Sequence, residues 1–210
     1  MSSFTLTRGL SNVFIAPVTA DDADTFTTGT PKQLMPAGEM SISVDNDKQN
    51  YHFDNTVFAT VGREGASEVT ISGAKIRPAD LAAITGKTVD ETTGAVLDAG
   101  EFVNNKYWAL GAKTNNIDGT EEYFWFAKGS FALPDESAKT KGEDTDASGT
   151  ELTYSAISTI HVFEETNNVH KRTIIDTEET AIAEGQDWFA QVVTPANVDT
   201  IVSAVTPASA

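Results

Sequence analysis

The chain has 210 residues, enough for one substantial core, and no cysteine, which excludes disulfides and thiolate metal sites. Its 14 Lys and Arg against 31 Asp and Glu give a formal net charge of −17, which disfavours gripping nucleic acid or an anionic membrane, because affinity for a polyanion comes from cationic contacts. With 40% hydrophobic and 9% aromatic residues, it reads as a folded protein rather than an acidic disordered tail.

Residues 1–9 read as a loose arm without the basic-then-apolar pattern of a leader, and the longest apolar stretch nearby is VFIAPV. Neither a signal peptide nor a membrane span is expected, and synthesis in a reducing cytoplasm is. Ser11–Val18 predicts a short strand stopped by Pro17. A loop follows over 19–31, with Asp21, Asp22 and Asp24 close together. From Glu39 to Val44 the alternation is strict: Met40, Ile42 and Val44 on one side, Glu39, Ser41 and Ser43 on the other, as in a half-exposed antiparallel strand. Residues 45–62, DNDKQNYHFDNTVFATVG, exceed a hairpin turn, yet Tyr51, Phe53, Val57 and Phe58 are too apolar for a solvated loop. They predict a long inter-strand loop whose aromatics tuck onto their own domain or dock onto another subunit.

Strand pattern resumes at Glu68–Ile76, with Val69 and Ile71 opposite Glu68, Thr70 and Ser72. A helix is predicted over Pro78–Thr85: Pro78 suits the first position, Leu81 and Ile84 share a face, and Gly86 ends it. Two turns cannot stand alone, so this helix must lie on a sheet. After a turn-rich connection, Lys106–Thr114 places Trp108, Leu110 and Ala112 on one face of a strand. The run YFWFAKGSFAL, 123–133, is the most apolar strand. Tyr123, Trp125, Ala127, Phe131 and Leu133 share one face; Phe124 and Phe126 give way to Lys128 and Ser130 on the other. Beyond a polar connection, Leu152, Tyr154, Ala156, Ile160 and Val162 line a further strand, opposite Thr153, Ser155, Thr159 and His161. A strand over 169–175 is followed by DWFAQVV, 187–193, which carries Trp188 and Phe189 as a late anchor in a turn or short helix. The expected domain is 1–194, with 195–210 as a flexible C-terminal tail.

Motifs for chemistry are weak. Thr85-Gly86-Lys87-Thr88 resembles the end of a phosphate-binding loop, but Leu81 stands where the first glycine belongs and the helix comes before it. Asp144, Asp146, Ser148 and Gly149 match the opening of a calcium loop whose closing acid would be Ser155, so a solvated connection is the preferred reading over an adventitious cation site. Asp45 and Asp47 have Asn50 where that loop needs glycine. His52, His161 and His170 lack ligand spacing, and no serine lies in a GxSxG elbow. Carboxylates are too abundant for any pair to be nominated. No catalytic residue, metal or cofactor is expected, and the chain is not read as an enzyme.

Four segments together carry a resemblance. GLSNVFIAPVT at Gly9–Thr19, the aromatic strand ending in Lys128 and Gly129, PDESAKTKG at 134–142, and the late Trp188 and Phe189 occur in the order and spacing of the major tail proteins, or tail tube proteins, of long-tailed bacteriophages with non-contractile tails. The chain resembles that family over most of Gly9–Val193. The resemblance implies a mainly β protein, an antiparallel β-sandwich of tail-tube type flanked by one short α-helix. It further implies six subunits closing into a ring, and rings stacking into a tube that conducts double-stranded DNA out of the capsid. Implied partners are copies of itself, a tape measure protein, a tail terminator and a distal tail protein; the implied location is the virion tail, with assembly in the host cytoplasm.

On that reading Tyr51, Phe53, Val57 and Phe58 become the inter-ring contact. Glu39, Ser41, Ser43, Glu68, Thr70 and Ser72 become candidates to face the channel, since strands 39–44, 68–73 and 151–162 contain no Lys or Arg. The alternative from another class is a β-sandwich carbohydrate-binding or adhesion module, which would stay monomeric and present an aromatic platform. A hydrolase would need an acid pair that the sequence does not single out.

Overall fold

The computed structural model describes residues 6–53, 56–90, 92–97, 106–134 and 149–204. The protein is mainly β and antiparallel, with two short helices, as the alternating patterns require. The first half contributes β1 (Thr7–Asp21), β2 (Phe26–Thr28), β3 (Lys32–Met35), β4 (Ala37–Phe53), β5 (Thr56–Gly73), α1 (Pro78–Thr85) and the small hairpin β6 (Thr88–Val89) with β7 (Val96–Leu97). The second contributes β8 (Trp108–Asn116), β9 (Glu121–Phe131), β10 (Thr150–Ile157), β11 (Val162–Phe163), β12 (Asn168–Val169), β13 (Arg172–Asp176), β14 (Thr180–Ile182), α2 (Val198–Ile201) and β15 (Val202–Ala204). Nine strands share one sheet in the order β2-β1-β8-β9-β10-β5-β4, with β3 also on β1 and β13 also on β9.

Two cores lie on opposite faces of that sheet. The inner one joins Val13 and Ile15 of β1 to Val69 and Ile71 of β5, with Leu110, Phe124, Phe126, Phe131, Leu152 and Tyr154 between them. Residues from strands far apart in the sheet order meet there, so the sheet bends over this core. The outer core covers β1, β8, β9 and β13, where Ala16, Ala109, Trp125 and Ile175 meet Trp188, Phe189, Val192, Val193 and Ile201 of the C-terminal segment. Trp125 is fully buried and donates its indole N–H to the Trp188 carbonyl at 3.0 Å. The expected late anchor is thus a second hydrophobic layer, built from turns.

The strand β9 is sandwiched between these cores, so both its faces are buried, including Lys128. A register shift against β8, between the pairs Trp108↔Gly129 and Leu110↔Phe126, sets three steps of β9 against two of β8. This bulge reverses the alternation, so Phe131 joins Phe124 and Phe126 in the inner core rather than Trp125, contrary to the simple period of two. Gly111 faces Trp125 across the ladder, and a Cβ there would come within 2.6 Å of the indole, so only glycine fits.

The helix α1 runs over Pro78–Thr85 as its caps dictate: Gly86 takes φ 77, and the Lys87 N–H reaches the Ala82 carbonyl at 2.9 Å. Its buried Ala82 and Ile84 face the sheet.

Four expectations are corrected. Pro17 does not stop the first strand, which continues to Asp21; Pro17 falls between the stretches paired with β3 and β2, so its missing N–H interrupts no ladder there. The long inter-strand loop at 45–62 is a hairpin arm, β4 and β5 continuing to the pair Phe53↔Thr56. A ribbon with water on both faces needs no apolar alternation, and register shifts after Val44 and Tyr51 break what periodicity remains. Residues 198–204, expected to belong to a flexible tail, are built into the fold: Val198–Ile201 is a helical turn, β15 pairs with β14, and Ile201 is 1% exposed, while 205–210 lie outside the described residues. In the strand expected to run to Val162, β10 ends at Ile157, and Ile160 and Val162 are exposed rather than core.

Candidate functional site

The outer face of the sheet is divided. Among the described residues, the C-terminal layer covers its β1-β8-β9-β13 half and none packs on the β10-β5-β4 half, which is bare of them. On the bare half the pleat sends Met40, Val69, Ile71, Leu152 and Tyr154 inward to the inner core, so their neighbours in each strand must face out. Those neighbours align in three cross-strand rows: Glu39–Ser72–Glu151, Ser41–Thr70–Thr153 and Ser43–Glu68–Ser155. Ser130 of β9 extends the last row beyond Ser155. All six sequence-nominated channel residues are therefore brought together as three adjacent pairs on one face. The structure adds Glu151, Thr153 and Ser155, whose alternation was visible in the sequence but whose place beside β5 was not.

Every member of these rows is exposed or half-buried, and none is Lys or Arg. The rows repeat about every 6.8 Å along the strands and about every 4.8 Å across them, giving a regular lattice of hydroxyls with three carboxylates. The Ser72 hydroxyl donates to Glu151 Oε2 at 3.3 Å, joining β5 to β10 across the lattice. Shallow depressions mark its two ends, one of about 480 Å³ between Glu39, Ser72 and Glu151, the other of about 420 Å³ among Ser43, Asp45, Glu68 and Ser155.

The arm rises from the same two strands. From the pair Asn46↔Glu64 to the pair Phe53↔Thr56, β4 and β5 pair with each other. Eight residues at about 3.3 Å each make a ribbon of about 26 Å. Lys171 braces its base, its Nζ donating to Glu64 Oε1 at 2.8 Å and to the Gly65 carbonyl at 2.9 Å. Tyr51 is 44% exposed and Phe58 76%, the latter at the bulge where Tyr51↔Ala59 gives way to His52↔Val57. The side chains of Phe53 and Val57 lie outside the described residues.

Other candidates have structural roles. Asp21 is a buried partner of Lys128, and its carboxylate also accepts the N–H groups of Ile160 and His161. Burial pushes this carboxyl up, but Lys128 and the two amides outweigh that and hold it below the usual range. Asp22 closes its own turn by accepting the N–H groups of Asp24 and Thr25. His161 Nδ1 sits 3.3 Å from the Ala23 carbonyl, while His170 lies 2.8 Å from Thr173 Oγ1, and burial pushes its pKa down. Among the described residues no group of three or more His, Asp or Glu is placed to hold a metal ion, and no helix is long and apolar enough to cross a membrane. The calcium-like loop at 144–148 lies outside the described residues.

Fold and site together define an antiparallel β protein with a bare, cation-free sheet face and a projecting two-stranded arm. No family model matches the chain, and no curated protein matches it.

Proposed function

We propose that the protein is a structural, self-assembling tube subunit of the tail-tube type, whose bare β4-β5-β10 face lines a channel for double-stranded DNA. The observation that carries this reading is the three-row lattice: three strands wide and acidic, without a single cation among its members. Such a wall cannot hold a phosphate backbone, and at physiological salt its repulsion extends only about 8 Å, which prevents adhesion without closing the bore. Six copies close a ring, and the arm reaches a neighbouring ring through Tyr51, Phe53, Val57 and Phe58. A two-stranded ribbon with both faces in water is marginally stable by itself, so docking against a neighbour also stabilises the arm. By resemblance, the tape measure, tail terminator and distal tail proteins are its partners in the virion, and assembly occurs in the host cytoplasm.

A carbohydrate-binding or adhesion module has less support: among the described residues the exposed Tyr51 and Phe58 lie together on the narrow two-stranded arm and Tyr107 lies elsewhere, so no broad sheet face presents an aromatic platform. The channel reading is tested by assembling the protein with short duplex DNA and measuring how much co-sediments. Tubes of the parent protein should retain almost none, and the triple variant Glu39→Lys, Glu68→Lys, Glu151→Lys should trap it. Equal retention by the two would place the lattice outside the bore.

A further inference from the structure

The charge of the chain is unevenly placed. Of its 14 basic residues, Lys75, Arg77 and Lys87 fall within residues 73–87, beside a single acid, Asp80. Lys32 of β3 joins this group in space, its Nζ 2.7 Å from Asp80 Oδ1, while Arg77 Nε lies 3.4 Å from Asp80 Oδ2. One carboxylate thus serves two cations. The Arg77 side chain remains 84% exposed, and Lys75 is exposed as well. The result is a basic patch around the start of α1 on a protein of net charge −17.

The C-terminal layer is its opposite. Residues 176–204 contain six acids and no Lys, Arg or His. Glu179, Glu184, Asp187 and Asp199 are exposed there, above the outer core built by Trp188, Phe189 and Ile201. The patch sits where α1 packs on the inner core, and the acidic layer lies on the outer face of β1, β8 and β9. The two surfaces therefore belong to different sides of one subunit and cannot satisfy each other within it.

We infer that the basic patch of one subunit docks on the acidic C-terminal layer of the next copy, a contact that rests on the self-assembly reading above. Two different patches meeting head to tail form a heterologous contact, the kind that closes a ring or continues a stack. The occupant is a second copy rather than nucleic acid because the complementary surface is present on the chain itself, and because the remaining charge repels a polyanion. Opposite patches set the register and orientation of subunits that otherwise repel one another.

Two charge-reversed variants test this. The first carries Lys75→Glu and Arg77→Glu and so has two acidic surfaces; the second carries Glu178→Lys, Glu179→Lys, Glu184→Lys and Asp199→Lys, which leaves Asp176 and Asp187 against four lysines, and so has two basic ones. Each should keep the parent's circular dichroism spectrum and lose the assembled boundary in analytical sedimentation. An equimolar mixture should regain it, because alternating copies restore both contacts. If either variant assembles alone like the parent, or the mixture fails to recover, the contact is refuted while the tube reading stands on the parent's own assembly. A parent protein that never assembles overturns both.

Discussion

At the scale of single residues, burial separates the groups that hold the fold from those that face a partner. Trp125 fills the outer core and hydrogen-bonds to Trp188, so Trp125→Ala should cost about 3–5 kcal/mol of unfolding free energy in denaturant titration. The ion pair of Asp21 and Lys128 makes a sharper prediction, because both side chains are about 95% buried at 4% and 5% exposure. Removing one partner strands the other charge, so Asp21→Asn should destabilise by about 3–5 kcal/mol at pH 7. The folded carboxyl lies below its unfolded value of 3.8, so the stabilisation is present above that pH and is lost as pH falls through the folded value. The gap between parent and Asp21→Asn should therefore narrow when the titration is repeated near pH 3; a constant gap would show that Asp21 is not ionised in the fold. Neither this pair nor the Gly111–Trp125 contact was legible in the sequence. Both join residues distant along the chain, and no local period marks such a meeting.

At the scale of elements, legibility followed the number of dry faces. Strands with one buried side, such as β10 and the end of β5, announced themselves by alternation, and α1 by its proline and glycine caps. The doubly buried β9 was found by its aromatics, but its bulge between Phe126 and Gly129 hid the true partner of Phe131. The arm was misread as a loop because neither of its faces packs on a core. Its removal provides the element-scale test: replacing 49–61 by Asn-Gly would join the paired residues Lys48 and Gly62 through a two-residue turn. The shortened protein should keep its thermal midpoint within a few degrees and form rings that no longer stack. Unaltered long tubes in micrographs would remove the arm from the inter-ring contact.

At the scale of the whole molecule, the charge that on the proposed reading keeps DNA from adhering would also oppose assembly. If six copies at −17 each are to close a ring as proposed, apolar contacts with locally opposite patches have to outweigh their repulsion. Screening acts over about 8 Å at 0.15 M salt but about 30 Å at 0.01 M, so dilution of salt exposes each subunit to the full charge of its neighbours. Sedimentation should accordingly show assembly weakening as ionic strength falls. The candidate channel face was legible as six alternating residues, but its breadth was not: β10 lies beside β5 although the chain between Gly73 and Thr150 separates them. That pairing converts a two-strand stripe into a wall. The measurement that tests the central claim most directly is negative-stain electron microscopy of the concentrated protein at 0.15 M salt. Hollow rings and tubes are the predicted result, and a field of solitary particles at every concentration would contradict it.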